Sequence, residues 1–166
     1  MLAYGLTSMT TADSFSHLDE SGHAKMVDVS EKPITRRVAE ASCRVELSSK
    51  TVDQLSQLPK GDAYVVAKLA GIQGAKRTAE LIPLAHPLNP EQIDVELRPV
   101  SDGVEIRSRV VVNARTGAEM EALVACSTAA LALYDMVKSV EREAKITDIR
   151  LDRKSGGSRG EFQRKE

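Results

Sequence analysis

The chain of 166 residues has the length of one domain, and its 42% hydrophobic and 28% charged residues place it among ordinary globular proteins. A net charge of −1 gives no electrostatic reason to hold nucleic acid, and 3% aromatic residues with no Trp leave few platforms for stacking bases. No export signal opens the sequence and no apolar run has the length of a membrane span, so no membrane partner and a cytoplasmic setting are expected.

Residues 1–23 mix Ser, Thr, Asp, Gly and His without apolar periodicity, which predicts a mobile arm before one domain over 24–162 and a short tail over 163–166. From Val38 to Leu47, Ala41, Cys43, Val45 and Leu47 alternate with Ser42, Arg44 and Glu46, the period of a half-buried strand. Leu55 and Leu58 fall at helical spacing within 51–58, and "PKGD" at 59–62 then breaks the chain. Asp62 is placed to cap a long helix running to about Leu81. Gly71 and Gly74 lie inside that helix, where glycine costs up to ~1 kcal/mol relative to alanine, so close packing against another backbone is expected.

"LIPLAHPLNP" at 81–90 holds Pro83, Pro87 and Pro90, which exclude a helix interior and a central strand. Leu81, Ile82, Leu84 and Leu88 make it a packed loop rather than a solvated tether, with His86 presented by a stiff frame. "IDVELRPV" (93–100) and "GVEIRSRVVVNA" (103–114) alternate across "SDG" and read as a hairpin. A second helix is predicted from Glu119 to Glu141. Over 122–134, "ALVACSTAALALY", its only polar side chains are Ser127, Thr128 and the Tyr134 hydroxyl, so it should be buried on all sides, in part by a second subunit. A last strand is expected over 145–154, although Ile146 and Ile149 break strict alternation. The order is β-α-β-β-α-β, an α+β ferredoxin-like antiparallel sheet with both helices on one face.

Chemistry-bearing residues gather at the ends of these elements. Asp135 and Lys138 share a face of the second helix, while Glu119 and Glu121 stand at its start, where carboxylates suit the helix dipole. Fourteen residues separate Glu121 from Asp135, ~21 Å along the axis. One small molecule reaches both only if two subunits contribute opposite ends. Cations stand at element breaks: Arg36, Arg37, Lys60, Lys76, Arg77 and Lys154, the last leading into "SGG", a segment suited to an anion-binding nest. No zinc spacing is present, and Cys43 and Cys126 read as buried reduced thiols.

"MVDVS" (26–30), "KGDA" (60–63), "AGIQGAKRT" (70–78), "LIPLAHPL" (81–88), "TGAEMEAL" (116–123), "AALALYDMVK" (129–138) and "KSGG" (154–157) together resemble the MoaC family of molybdenum cofactor biosynthesis. The resemblance spans about 15–162. It implies the ferredoxin-like fold, a hexamer built as a trimer of dimers, and sites between subunits. It also implies a lyase that turns a small nucleotide-derived substrate, 3′,8-cyclo-7,8-dihydroguanosine triphosphate, into cyclic pyranopterin monophosphate and pyrophosphate. Such a reaction asks for proton transfers and a cationic cradle. By motif, Asp135 and Lys138 match the family's catalytic pair. Leu84, Ala85 and His86 match one substrate-binding segment, Met120 and Glu121, with Glu119 beside them, a second, and Lys60, Arg37, Lys76, Arg77 and Lys154 its phosphate-binding cations. No cofactor or protein-held metal is implied, though Mg²⁺ accompanying the triphosphate is compatible. The family usually has Cys where this chain has Ala85, and the expectation is that this thiol only packs. Without the resemblance, a self-assembling ligand-binding or regulatory module is the first reading, since this order of elements serves many functions.

Overall fold

The computed structural model describes residues 21–158 and 160–165. The predicted N-terminal arm lies largely outside them. Strand β1 (Thr35–Glu46) is followed by a single helical turn, α1 (Ser49–Val52), and a 3₁₀ turn at Leu55–Gln57. Helices α2 (Ala63–Lys76) and α3 (Thr78–Leu81) lead to β2 (Gln92–Val100), β3 (Gly103–Ala114), α4 (Glu119–Val137), β4 (Lys145–Ser155) and β5 (Phe162–Gln163). The sheet order is β2-β3-β1-β4-β5, antiparallel throughout. The first four strands have the ferredoxin-like arrangement expected, with α4 across β1, β3 and β4 and α2 over β2.

The hairpin turns at Asp102, whose carbonyl accepts from Leu47 N at 3.1 Å. Asp62 caps α2 as read from sequence: its Oδ1 accepts from Tyr64 N at 2.8 Å and Val65 N at 3.2 Å. The broken alternation between Ile146 and Ile149 is a β-bulge. Ser42 pairs with Arg150 and Arg44 with Thr147, so Cys43 faces two residues, one of them Asp148 at φ +54°.

Two predicted helices are shorter than expected. The helix from Asp62 is interrupted at Arg77 (φ −110°, ψ 15°), where the buried Thr78 hydroxyl donates to the Ala75 carbonyl at 3.0 Å and restarts the chain as α3. Helix α4 ends at Val137 rather than Glu141. Beyond it the Glu141 carboxylate is drawn to Ser48, accepting from its N and Oγ, each at 2.8 Å, and Tyr134 Oη donates to the Arg142 carbonyl at 3.1 Å. Strand β5, which pairs Phe162 and Gln163 with Lys154 and Arg153, carries no pattern that marks it in sequence.

The core lies between sheet and helices, with Val45, Val104, Ile106, Val110 and Leu133 fully buried. Helices α2 and α4 meet through small residues: Ala63, Ala67, Gly71 and Gly74 are buried on one, Ala122, Ala125 and Ala129 on the other. A Cβ on Gly71 would stand 2.9 Å from the Ala125 carbonyl oxygen, and one on Gly74 would overlap Thr128, so the glycines permit the close approach that their sequence position implied. By length and mean hydropathy α4 is long and apolar enough to cross a membrane, although Glu119, Glu121 and Asp135 confine its uncharged run to 122–134. Its packing against three strands and α2 accounts for that apolarity. Not all of it is covered by this chain: Leu131 is 58% exposed, as are Val65 (53%) and Leu69 (61%) on α2. Cys43 and Cys126 are buried free thiols, Cys43 Sγ donating to the Cys126 carbonyl at 3.4 Å and Cys126 Sγ to the Ala41 carbonyl at 3.3 Å.

Candidate functional site

At the N-terminal end of α4 a cleft of about 460 Å³ collects most of the residues singled out from sequence. The proline loop supplies Leu84, Ala85 and His86, the first turn of α4 supplies Glu119, Met120 and Glu121, β1 supplies Arg37, and the end of β4 supplies Lys154. These segments are up to 117 residues apart in sequence and meet because β1 lies between β3 and β4 while α4 begins where β3 ends. Of the loop's apolar residues, Ile82, Leu84 and Leu88 line the cleft, whereas Leu81, the last residue of α3, is 55% exposed rather than packed.

Each charged group in the cleft has a defined setting. The Arg37 guanidinium donates from Nε to the Ala114 carbonyl and from Nη2 to the Arg115 carbonyl, both at 3.0 Å. Gly156 (φ +90°) and Gly157 (φ +83°) turn the chain back over it; a Cβ on Gly156 would strike the Arg36 carbonyl, and one on Gly157 the Arg37 guanidinium itself. Lys154 Nζ stands 3.1 Å from Glu119 Oε1. His86 Nε2 lies 2.8 Å from the Val27 carbonyl oxygen. Glu121 is only 3% exposed, and burial, reinforced by the Glu119 charge, pushes its carboxyl up to about 7. A carboxyl with that value exchanges a proton readily near neutral pH.

The Asp135–Lys138 pair lies at the opposite end of α4, on the surface. Lys138 Nζ is 2.6 Å from Asp135 Oδ1, while Lys60 Nζ stands 3.7 Å from Asp135 Oδ2 and donates to the Asp135 backbone carbonyl at 2.9 Å. Lys138, then Lys60, hold the Asp135 carboxyl below the usual carboxylate range, and Asp135 pushes the Lys138 ammonium up. Within one chain the cleft and this cluster are separated by the length of the helix, ~21 Å between Glu121 and Asp135.

Lys76 and Arg77 belong to neither group. Both are exposed at the end of α2, and Arg77 Nε lies 3.9 Å from Glu80 Oε2. The cleft also contains residues that sequence reasoning did not assign to a site: Val27, Val29 and Lys32 from the segment before β1, and Arg115, Thr116 and Gly117 between β3 and α4. The alternation of "MVDVS" was the available signal, since Val27 and Val29 are half-buried while Met26, Asp28 and Ser30 are exposed. Among the described residues, no group of three His, Cys, Asp or Glu side chains is arranged to hold a metal ion.

Comparison with known proteins places these segments in a common pattern. The MoaC family model matches residues 26–157, which include every segment of the cleft and the cluster at the far end of α4 except Ser158. A cyclic pyranopterin monophosphate synthase of Streptomyces griseus is 49% identical over 160 residues, covering 95% of this chain and 90% of that protein. One from Cereibacter sphaeroides is 51% identical over 152 residues, covering 89% and 96%. Cyclic pyranopterin monophosphate synthase 3 of Mycobacterium bovis is 51% identical over 152 residues, covering 90% and 86%.

Proposed function

The chain belongs to the MoaC family, and from that premise we propose that it converts 3′,8-cyclo-7,8-dihydroguanosine triphosphate into cyclic pyranopterin monophosphate with release of pyrophosphate. It acts as a lyase of the phosphorus–oxygen type, in the cytoplasm. The observation that carries this reading is the convergence of cations, an imidazole and a buried carboxyl in one cleft within the residues that the family model matches, in a chain about half identical to proteins named as synthases.

The chemistry of the groups divides the work. Arg37 and Lys154, with Lys32 and Arg115 beside them, offer a cationic wall for the triphosphate. His86 and Glu121 are placed for proton exchange with the ring system. Lys138, its ammonium stabilised by Asp135, suits the role of general acid better than that of base, because Asp135 opposes loss of its proton. Lys60 and Asp135 position it. Lys76 and Arg77 act as phosphate ligands only from a site completed by another chain. Ala85 contributes a cleft wall, and the reaction proceeds without a thiol at that place.

The assembly that fits is a hexamer built as a trimer of dimers, in which the Asp135–Lys138 end of one chain completes the cleft of its neighbour. Two facts support it: the span of α4 between the two groups, and the apolar Val65, Leu69 and Leu131 left exposed on the helical face. The decisive assay supplies the cyclic dihydro-GTP intermediate and follows pyrophosphate release by the wild type, Lys138→Ala and Asp135→Asn. Equal rates for all three would remove the catalytic pair; binding without release by the wild type would make the chain a ligand-binding module.

A further inference from the structure

The segment before β1 does more than cover the cleft. Val27 and Val29 face into it, Asp28 Oδ1 accepts from Ser30 N at 2.9 Å, and Lys32 N donates to the Val29 carbonyl at 3.0 Å, which together fold 26–32 into a short strap. The strap is fastened twice. The Lys32 carbonyl accepts from Arg115 Nε at 3.0 Å, and the Val27 carbonyl lies 2.8 Å from His86 Nε2.

A backbone carbonyl only accepts, so the hydrogen of the second contact belongs to the imidazole. We propose that the Val27 carbonyl fixes His86 as the Nε2–H tautomer and thereby presents the Nδ1 lone pair to the substrate. Val27 is then a positioning residue acting through its backbone, and Nδ1, which no described residue engages, is the nitrogen that accepts a hydrogen bond or a proton in the cleft. The stiffness of the loop serves the same end, since Pro87 directly follows His86 and Pro83 closes the turn in which Ala85 N donates to the Ile82 carbonyl at 3.0 Å. The contact differs from a structural tie in one respect: it selects between two chemically distinct nitrogens. This inference rests on the cleft being the substrate site.

The test begins with the unmodified full-length protein. Histidine is labelled with ¹⁵N and the ring correlations of His86, assigned by their loss in His86→Gln, are recorded above the pH at which the ring is neutral. A pyrrole-like Nε2 and a pyridine-like Nδ1 are expected; the reverse pattern, or an even mixture, overturns the inference and leaves the proposed function standing. Loosening the strap with Val27→Gly and Val29→Gly should mix the tautomers, and Val27→Ile should restore one. A tautomer unmoved by the glycines also overturns it. Two further variants separate the nitrogens. The amide of Asn overlays Nδ1 and that of Gln overlays Nε2, so His86→Asn should bind the triphosphate substrate on the order of tenfold more tightly than His86→Gln. Equal or inverted affinities refute the assignment of Nδ1, whereas wild-type turnover in both variants refutes the cleft as the place of reaction.

Discussion

Lys60 donates a hydrogen bond at 2.9 Å to the backbone carbonyl of Asp135, tying the break before α2 to the last turn of α4. That carbonyl sits where a helix leaves its acceptors unmatched and where the dipole is negative, so a cation there serves both the backbone and the carboxylate beside it. Lys60→Met should cost little stability because the pair is exposed. If Lys60 also positions the pair for catalysis, turnover falls by about tenfold, far more than that stability change implies. Urea unfolding and pyrophosphate release on the same preparations separate the two.

Removing the proton donor itself should be harsher. Lys138→Ala is expected to lower turnover by roughly 10² to 10⁴, the range of a lost general acid, with little change in the unfolding midpoint. Asp135→Asn should lie between Lys138→Ala and the wild type, since it leaves the ammonium present but no longer stabilised by a charge.

Glu121 makes stability depend on pH in a direction opposite to that of a paired carboxylate. Its folded value, about 7, lies above the usual glutamate value of 4.5, so in that interval the native state holds a proton that the unfolded chain has released. The contribution is fully present below the unfolded value and is lost as pH rises through the folded one, amounting to as much as ~3 kcal/mol. Glu121→Gln should therefore be more stable than the wild type at pH ~8 and lose that advantage near pH ~5. Chemical denaturation at both values checks the sign.

The helix seam offers a test of packing without chemistry. Alanine in place of Gly74 gains up to ~1 kcal/mol of helix propensity but collides with Thr128, and a net loss of ~1 to 3 kcal/mol is expected. Thr128→Ala should relieve the collision, so the double variant is more stable than the sum of the single changes. Additivity would show that the helices move apart instead.

If each site combines a cleft from one chain with a Lys138 from another, His86→Ala and Lys138→Ala chains should complement one another. Random co-assembly leaves about a quarter of the sites with both halves intact, and turnover should recover to that fraction of wild type. Verified mixed oligomers with no recovery would place the complete site within one chain.

Much of the fold was written in local patterns. The alternation of β1, the "SDG" turn, the Asp62 cap and the apolar run of α4 each predicted their element because the signal and the structure share a period. The errors have specific causes, one local and one long-range. The interruption at Arg77 depends on a hydroxyl reaching a carbonyl, and the end of α4 on a carboxylate captured by Ser48, which lies 93 residues away. The cleft residues were legible as a set only through the motifs shared with a family. Arg37, Glu119 and Lys154 sit on β1, α4 and β4, and nothing in their spacing announces that they meet. The strap was missed as part of the site because two valines in a polar stretch imply burial but not against what.

Arg37 works as a keystone. With two of its nitrogens bonded to the Ala114 and Arg115 carbonyls at the end of β3 and a glycine bend packed against its third, it joins three walls of the cleft. Lysine could carry the charge but has no planar fork to span both carbonyls, so drift at this position is constrained by masonry before it is constrained by the ligand, and a side chain added at Gly157 would shift the whole arch.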